Sequence, residues 1–133
     1  MAEQLKPTGQ KHILVVDDNV DLAQTYEELF QAYGYKVSVA TNGVLALKMV
    51  VAADVDAILC DLSMPQLQGD MFYQTVERAR PHLSGRFIFV TGNDGNPAFQ
   101  QFLSRVKVPV LIKPVSIDKL LEALRTLFAA QEA

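Results

Sequence analysis

Short apolar runs rich in β-branched residues alternate along the chain with longer amphipathic segments. Five such runs occupy residues 13–16, 37–39, 57–60, 87–90 and 110–112. Each run is almost wholly apolar, with little alternation of polar and apolar residues, which is typical of a strand buried on both faces of a parallel sheet. The pattern therefore predicts five β-strands inside the domain.

The segments that follow these runs carry apolar residues at helical spacing. The clearest are the first and the last, with apolar positions at Leu22, Tyr26, Leu29, Phe30 and Tyr33, and at Ile117, Leu120, Leu121, Leu124, Leu127 and Phe128. Gly34 follows the first helix, Asn96 precedes Pro97 in the pattern of a helix start, and Ser116 can cap the last helix. Strand and helix thus alternate five times, which predicts an α/β fold with a parallel sheet and helices on both faces.

Composition narrows the class of protein. The chain has 133 residues, of which 50% are hydrophobic, and a net charge of −3, which disfavours a fold that grips nucleic acid through phosphates. The single cysteine, Cys60, excludes an internal disulfide, and no apolar stretch reaches the roughly 18 residues of a membrane span. The N-terminal segment lacks a secretory signal. We therefore expect a cytoplasmic protein with a flexible tail over residues 1–10 and one domain over residues 11–130.

Polar residues directly follow four of the five apolar runs. Asp17 and Asp18 follow the first run, Asp61 the third, Thr91 the fourth and Lys113 the fifth. Taken singly, each has a simpler interpretation as a helix cap, a turn residue or a surface lysine. In a parallel α/β sheet, however, ligands bind beyond the carboxyl ends of the strands. The joint pattern therefore predicts a shared site at that edge.

Three carboxylates at one edge repel one another. Two unit charges about 5 Å apart cost roughly 3 kcal/mol at an effective dielectric constant of 20, so the cluster needs a cation or raised pKa values. Hard oxygen ligands without a histidine or cysteine cluster favour Mg²⁺, with Mn²⁺ as a substitute. Lys113 and Thr91 can then supply an ammonium and a hydroxyl group to a phosphoryl group, and Asp61 can act as a nucleophile that forms an acyl phosphate.

These segments together resemble the receiver (response regulator) domains of two-component signalling. The resemblance covers about residues 11 to 130 and rests on four motifs in order: ILVVDDN at 13–19, ILCDLSMPQLQG at 58–69, VTGN at 90–93 and LIKPV at 111–115. It implies a doubly wound, five-stranded parallel sheet with the flavodoxin-like strand order 2-1-3-4-5.

The resemblance also implies roles for the residues that handle the phosphoryl group. Asp61 accepts this group from a phosphohistidine, while Thr91 and Lys113 bind its oxygens. The Lys113–Pro114 peptide bond is expected to be cis. The chain is then a signalling domain that catalyses only its own phosphorylation and dephosphorylation, and it is not an enzyme acting on other substrates.

A magnesium site is implied as well. Asp18, Asp61 and the backbone carbonyl of Ser63 bind Mg²⁺ directly, and Asp17 acts mainly through a metal-bound water.

The implied partners are a histidine kinase or histidine phosphotransfer protein as donor, and a downstream protein target. The target is reached through the face built by the fourth helix, the fifth strand and the fifth helix, with no direct contact to nucleic acid and no membrane insertion. Val110 stands where many receivers carry an aromatic switch residue, so we expect the phosphoryl chemistry to survive and the readout to differ. The segment VPVLIKPV at 108–115 is more similar to receivers attached to, or acting beside, hybrid sensor kinases than to those of transcription factors.

Three other functions remain open from the sequence. A Mg²⁺-dependent phosphatase of the haloacid dehalogenase type also uses an aspartyl nucleophile, but it needs Asp-x-Asp where this chain has Asp17-Asp18-Asn19. A flavodoxin-like cofactor binder needs a hydroxyl-rich phosphate loop after the first strand. A receiver that binds partners without phosphorylation would lack some of the residues needed for phosphorylation. All five are present here: Asp17, Asp18, Asp61, Thr91 and Lys113.

Overall fold

The computed structural model describes residues 10–92 and 97–132 and shows the predicted alternation of strands and helices. The strands are β1 (His12–Val16), β2 (Lys36–Ala40), β3 (Ala57–Asp61), β4 (Phe87–Thr91) and β5 (Val110–Ile112). The helices are α1 (Val20–Ala32), α2 (Gly43–Ala52), α3 (Gly69–Ala79), α4 (Pro97–Arg105) and α5 (Ile117–Glu132), with a short 3₁₀ helix at Pro81–Arg86.

The five strands form one parallel sheet in the order β2-β1-β3-β4-β5. This confirms the predicted doubly wound fold and its strand order. The register pairs Val16 of β1 with Cys60 of β3, and Thr91 of β4 with Ile112 of β5. The strands therefore end at one common edge, which we call the carboxyl edge.

Two apolar layers cover the two faces of the sheet. Leu14 and Val16 pack into the layer formed with α2, α3 and α4, whereas Ile13 and Val15 pack into the layer formed with α1 and α5. Successive strand residues point to opposite faces, so a run without polar residues fills both layers. Cys60 is fully buried in the first layer.

Local polar contacts explain where the helices begin and end. The side chains of Asn19, Asn42 and Ser116 accept hydrogen bonds from the backbone N–H three residues on, at 3.1, 2.8 and 3.2 Å. Gly34 ends the turn after α1 with φ +92°, as predicted. The predicted cap Asn96 lies outside the described residues.

The last helix continues beyond residue 130, where the domain is predicted to end. Its final turn is held by Gln131, whose Nε2 donates to the carbonyl oxygen of Asp56 at 2.7 Å. Lys11 Nζ donates to Gln131 Oε1 at 3.5 Å. These contacts tie the end of α5 to the segments that precede β1 and β3. Most of the predicted tail over residues 1–10 lies outside the described residues.

Candidate functional site

The acidic residues predicted to share a site do lie together at the carboxyl edge. Asp17 directly follows β1, and Asp61 is the last residue of β3. One carboxylate oxygen each from Asp17, Asp18 and Asp61 lie within 4.8 Å of one another. Asp17 is 3% exposed and Asp61 is 6% exposed, whereas Asp18 is exposed. The cluster therefore has two buried carboxylates and one that faces solvent.

Backbone N–H groups orient the two buried carboxylates. Oδ1 of Asp17 accepts from the N–H of Asn19 at 2.9 Å, and Oδ1 of Asp61 accepts from the N–H of Ser63 at 3.2 Å. Both bonds span two residues, in the manner of the Asx turns that aspartate forms at the end of a strand. Each turn uses one carboxylate oxygen and leaves the other available to different partners.

Lys113 approaches these remaining oxygens from the other side of the site. Its Nζ lies 3.3 Å from Oδ2 of Asp61 and 3.7 Å from Oδ2 of Asp17. Lys113 directly follows β5, and its backbone N–H donates to the carbonyl oxygen of Thr91 at 2.8 Å. The Lys113–Pro114 bond is cis, as expected. The ammonium group thus sits between the two buried carboxylates.

Thr91 and Ser63 are the remaining residues predicted to belong to the site. Thr91 is the last residue of β4, is 8% exposed and lies at the same edge as the carboxylates. Ser63 lies two residues beyond Asp61 and is exposed. The contributions predicted for the Thr91 hydroxyl and the Ser63 carbonyl stay predictions, since they concern contacts with a phosphoryl group and a metal.

The electrostatics of the site favour a bound cation. Burial raises the pKa of Asp17 and of Asp61, and a neighbouring carboxylate adds to each increase, while Lys113 and a backbone N–H oppose it. Burial lowers the pKa of Lys113, but attraction to Asp61 and Asp17 outweighs it, so the net shift of that pKa is upward. The site thus contains three clustered carboxylates and one ammonium group, which pairs with Asp17 and Asp61, so an excess of negative charge remains.

The donor atoms suit a hard divalent ion. Within the described part of the chain the cluster consists of aspartate oxygens alone, with no histidine or cysteine ligand. Such oxygen ligands match Mg²⁺ and related cations better than zinc or copper. The three carboxylates can therefore hold a metal ion.

The path of the chain after Asp61 depends on Gly69, a contact that the sequence pattern did not reveal. A Cβ atom at Gly69 would lie 2.6 Å from the carbonyl oxygen of Asp61 and 2.9 Å from Cα of Leu62. The N–H of Gly69 donates to the carbonyl oxygen of Leu62 at 2.9 Å. The loop from β3 therefore folds back onto the end of the strand, and α3 begins in contact with the site.

Tyr26 is a second neighbour that the sequence did not identify, because its helical spacing marks it only as a core residue. Together with Lys113 and Pro114 it lines a cavity of about 510 Å³ between α1 and the segment after β5. Burial raises the pKa of Tyr26, and the charge of Asp17 adds to this increase. The phenol thus lies within electrostatic reach of the acidic cluster.

The doubly wound sheet and this site define a class of protein, the phosphoacceptor signalling domain. A sequence model of the family described as "Response regulator receiver domain" matches residues 13–125. The chain belongs to this family and is a receiver domain of two-component systems. None of its described helices has the length and apolar character required to cross a membrane.

Individual relatives agree with this assignment. The transcriptional regulatory protein ZraR of Klebsiella oxytoca is 30% identical over 111 residues, which cover 84% of this chain and 25% of that protein. The chain thus spans about a quarter of the length of this relative. A CheY-like response regulator receiver domain protein from Methanospirillum hungatei superposes with a TM-score of 0.83 at 25% identity, covering 93% of this chain and 98% of that one.

A third similarity shows the fold alone. The response regulator TrrA of Thermotoga maritima, solved in complex with Mg²⁺-BeF, has a TM-score of 0.77 at 24% identity, with 89% of this chain and 99% of that chain covered. These comparisons do not favour the phosphatase, the cofactor binder or the phosphorylation-independent module.

Proposed function

We propose that Asp61 is the phosphoacceptor and that a phosphohistidine on a histidine kinase or phosphotransfer protein is the donor. The observation that carries this proposal is the 3.3 Å separation between Lys113 Nζ and Oδ2 of Asp61, inside a cluster of buried carboxylates. Such an arrangement places a positive charge beside the oxygen that would bond to phosphorus. Two comparisons support the same role. They are the assignment to the receiver family and the similarity to one part of ZraR.

The transfer needs no further co-reactant. As an oxygen of Asp61 bonds to phosphorus, the bond from phosphorus to the donor's imidazole nitrogen breaks. The electron pair stays on that nitrogen, and neutral imidazole leaves because the other ring nitrogen of the phosphohistidine carries a proton. The Lys113 ammonium offsets negative charge on the phosphoryl oxygens, and the Thr91 hydroxyl donates to one of them. The chain therefore contributes mainly position and electrostatic stabilisation.

The metal ligands proposed are Asp18, Asp61 and the backbone carbonyl of Ser63, with Asp17 acting through an intervening water. The ion is Mg²⁺, with Mn²⁺ as a substitute, and when bound it supplies positive charge to the carboxylates and the phosphoryl oxygens. The exposed position of Asp18 leaves its oxygens accessible to an ion, whereas Asp17 is buried beside Lys113. TrrA, which has the same fold, was solved with bound Mg²⁺-BeF, which supports the choice of Mg²⁺ as the ion.

The donor is proposed to approach over the cavity beside Lys113. This cavity is apolar along Leu22, Leu29 and Ile117, and Lys113 forms part of its wall. Apolar side chains of a donor protein can therefore pack there while its histidine faces Asp61. The proposal includes a cytoplasmic location, with which the buried thiol of Cys60 is compatible.

Output is proposed to pass through the α4-β5-α5 face to a downstream protein, with no direct contact to nucleic acid. Val110 is half-buried in β5 and has no ring to rotate. A change at this face would therefore depend on Thr91 and on helix packing. Full switching of a two-state equilibrium from 1:99 to 99:1 requires about 5.5 kcal/mol, which exceeds the roughly 1.5–3 kcal/mol of one charge-assisted hydrogen bond. The metal, Lys113 or a bound partner must supply the rest.

The proposal is tested by incubating the chain with Mg²⁺ and acetyl phosphate and measuring its intact mass. We expect one phosphoryl adduct on the wild type and none on Asp61→Asn. The adduct should disappear on its own without repeated turnover of added phosphoesters, since the chain is proposed to act only on itself. Many turnovers per chain would instead indicate a phosphatase.

A further inference from the structure

A cleft of about 500 Å³ opens between α3 and α4, on the face of the sheet opposite α1 and α5. Its floor includes Tyr73 and Phe102, whose rings meet edge-on at 5.5 Å between centroids. Its rim carries the cationic residues Arg78, Arg105 and Lys107. These three lie near or beyond the C-terminal ends of their helices, whereas the phosphorylation site lies where the helices begin. The cleft is therefore separate from the acidic cluster.

The cations on this rim are available to a ligand. Among residues 10–92 and 97–132, Arg78, Arg105 and Lys107 make no ion pair and no side-chain hydrogen bond. Arg80 and Arg86, by contrast, donate to backbone carbonyl oxygens at 2.6 and 2.8 Å. The latter two arginines stabilise the connection between α2, β3 and the 3₁₀ helix. The three on the rim have no comparable structural task.

The charge of the cleft is opposite to that of the whole chain. Glu77 is the acidic residue among those that line the cleft, against three cations, while the chain as a whole carries −3. A positive concavity on an acidic protein attracts a negatively charged partner and disfavours neutral ones. Guanidinium groups bind carboxylates in a planar, two-point geometry that suits recognition of acidic side chains.

The floor of the cleft distinguishes a protein partner from a nucleic acid. Tyr73 is 7% exposed and Phe102 is 3% exposed, so neither presents a ring face on which a base could stack. Single-stranded nucleic acids usually bind positively charged grooves by stacking their bases on exposed aromatic rings. Val106 is half-buried in the lining and offers instead a small apolar contact for an aliphatic side chain.

We propose that this cleft docks an acidic amphipathic segment of a partner protein, with carboxylates paired to Arg78, Arg105 and Lys107. An acidic segment lying between two helices combines two known modes of peptide recognition, helix-in-groove packing and capture of acidic motifs by arginine. Because Phe102 and Arg105 belong to α4, the cleft shares a helix with the α4-β5-α5 face. Occupancy of the cleft should therefore respond to phosphorylation, a part of the inference that rests on the proposed function.

The test measures binding of a fluorescein-labelled peptide with Glu and Leu at helical spacing to the full unphosphorylated chain, by fluorescence anisotropy. We expect saturable binding, weakened about tenfold by Arg105→Glu and by Arg78→Glu, since each loses one charge-assisted pair. Arg125→Glu is the matched control, because it makes the same charge change at an exposed position of α5. Circular dichroism checks that each variant is folded.

Several outcomes would overturn the proposal. These are absence of saturable binding, equal weakening by Arg125→Glu, equal binding of a peptide with Lys in place of Glu, and tighter binding of a uridine-rich RNA oligonucleotide that depends on the same arginines. Repeating the titration with beryllofluoride and Mg²⁺ tests the coupling. If peptide binding is unchanged while intact mass still shows a phosphoryl adduct on Asp61, the coupling is wrong and the proposed phosphoacceptor role stands.

Discussion

Lys113 Nζ lies 3.3 Å from Oδ2 of Asp61, although β4 separates the strands at whose ends the two residues stand. Neighbouring strands lie about 4.8 Å apart, so the two side chains and the contact between them must together bridge roughly 10 Å of sheet edge. The aspartate side chain is short, so most of this distance falls to the long, unbranched side chain of the lysine. The contact therefore depends on the length of the residue as well as on its charge.

Replacing Lys113 by glutamine should slow phosphorylation, because it removes the positive charge and leaves a polar side chain that is one bond shorter. Loss of one preorganised charge beside the reacting oxygens typically costs about 100-fold or more in rate. The rate is measured from the growth of the phosphoryl adduct by intact mass with acetyl phosphate and Mg²⁺. Lys119→Gln, at an exposed position of α5, is the control. Equal rates for both variants would show that the ammonium group plays no part.

Replacing Asp17 by asparagine should stabilise the fold when no divalent ion is present. Burial and the neighbouring carboxylate raise the pKa of Asp17, so its folded form takes up a proton more readily than its unfolded form. At neutral pH the ionised carboxylate therefore opposes folding. This cost is fully present above the folded pKa and fades as the pH falls from the folded pKa towards 3.8, the ordinary pKa of an aspartate.

We expect the free energy of unfolding of Asp17→Asn in urea with EDTA at pH 7 to exceed that of the wild type by on the order of 1 kcal/mol. Asp21→Asn is the control, because Asp21 is exposed in the first turn of α1, where a negative charge is favourable. A less stable Asp17→Asn chain would mean that its contacts with Asn19 and Lys113 outweigh the repulsion.

Magnesium should stabilise the wild type by binding only the folded chain. At a tenfold excess over its dissociation constant, a single ligand adds about 1.4 kcal/mol to the free energy of unfolding. The rise in melting temperature with added Mg²⁺ is the measurement. Asp18→Asn removes one proposed ligand at an exposed position and should reduce this rise strongly. An identical rise in both chains would place the ion elsewhere.

Gly69 should tolerate no side chain. A Cβ atom there would lie 2.6 Å from the backbone oxygen of Asp61, an atom that can move only if the end of β3 moves. We expect Gly69→Ala to lose about 1–3 kcal/mol of stability, the usual cost of overpacking, and to be phosphorylated more slowly. Gly85→Ala is the matched control, since nothing lies within 4 Å of a Cβ there. Equal stabilities in urea would contradict this account.

The parts of the site that the sequence could predict are those attached to strand ends. Asp17, Asp61 and Lys113 each follow an apolar run directly, and a parallel sheet brings the ends of its strands to one edge whatever the connecting loops do. The contacts of Gly69 and Tyr26 could not be predicted in this way. They depend on how a loop returns to β3 and on how α1 packs beside β5, and neither feature leaves a periodic signal in the chain.

The cleft between α3 and α4 is another feature that could not be predicted from the sequence. The helical spacing of Phe99 and Phe102 is typical of a buried helix face, and both residues are buried. It does not tell how closely two neighbouring helices on the same face of the sheet approach each other. The width of the cleft depends on how α3 and α4 pack. The sequence alone therefore does not show that Arg78 and Arg105 line the same cleft.

The stability of the chain should also depend on pH through His12, at the opposite edge of the sheet from the site. Burial lowers the pKa of His12 from 6.5, and the charge of Lys36 adds to this, while Asp56 opposes it. Its Nε2 lies 2.7 Å from Oγ of Ser38, and its backbone N–H donates to Asp56 Oδ2 at 2.8 Å. The folded state thus favours the neutral imidazole.

A lowered folded pKa means that the unfolded chain binds the proton first as the pH falls through 6.5. The contribution of His12 to stability is therefore fully present above that pH and is lost below it, down to the folded pKa. We expect the free energy of unfolding of the wild type to fall more steeply over this range than that of His12→Gln, in which the side chain at this position does not titrate. Urea denaturation curves at closely spaced pH values measure the difference. Parallel pH profiles for the two chains would show that the imidazole near Ser38 is as easily protonated in the folded state as in the unfolded one.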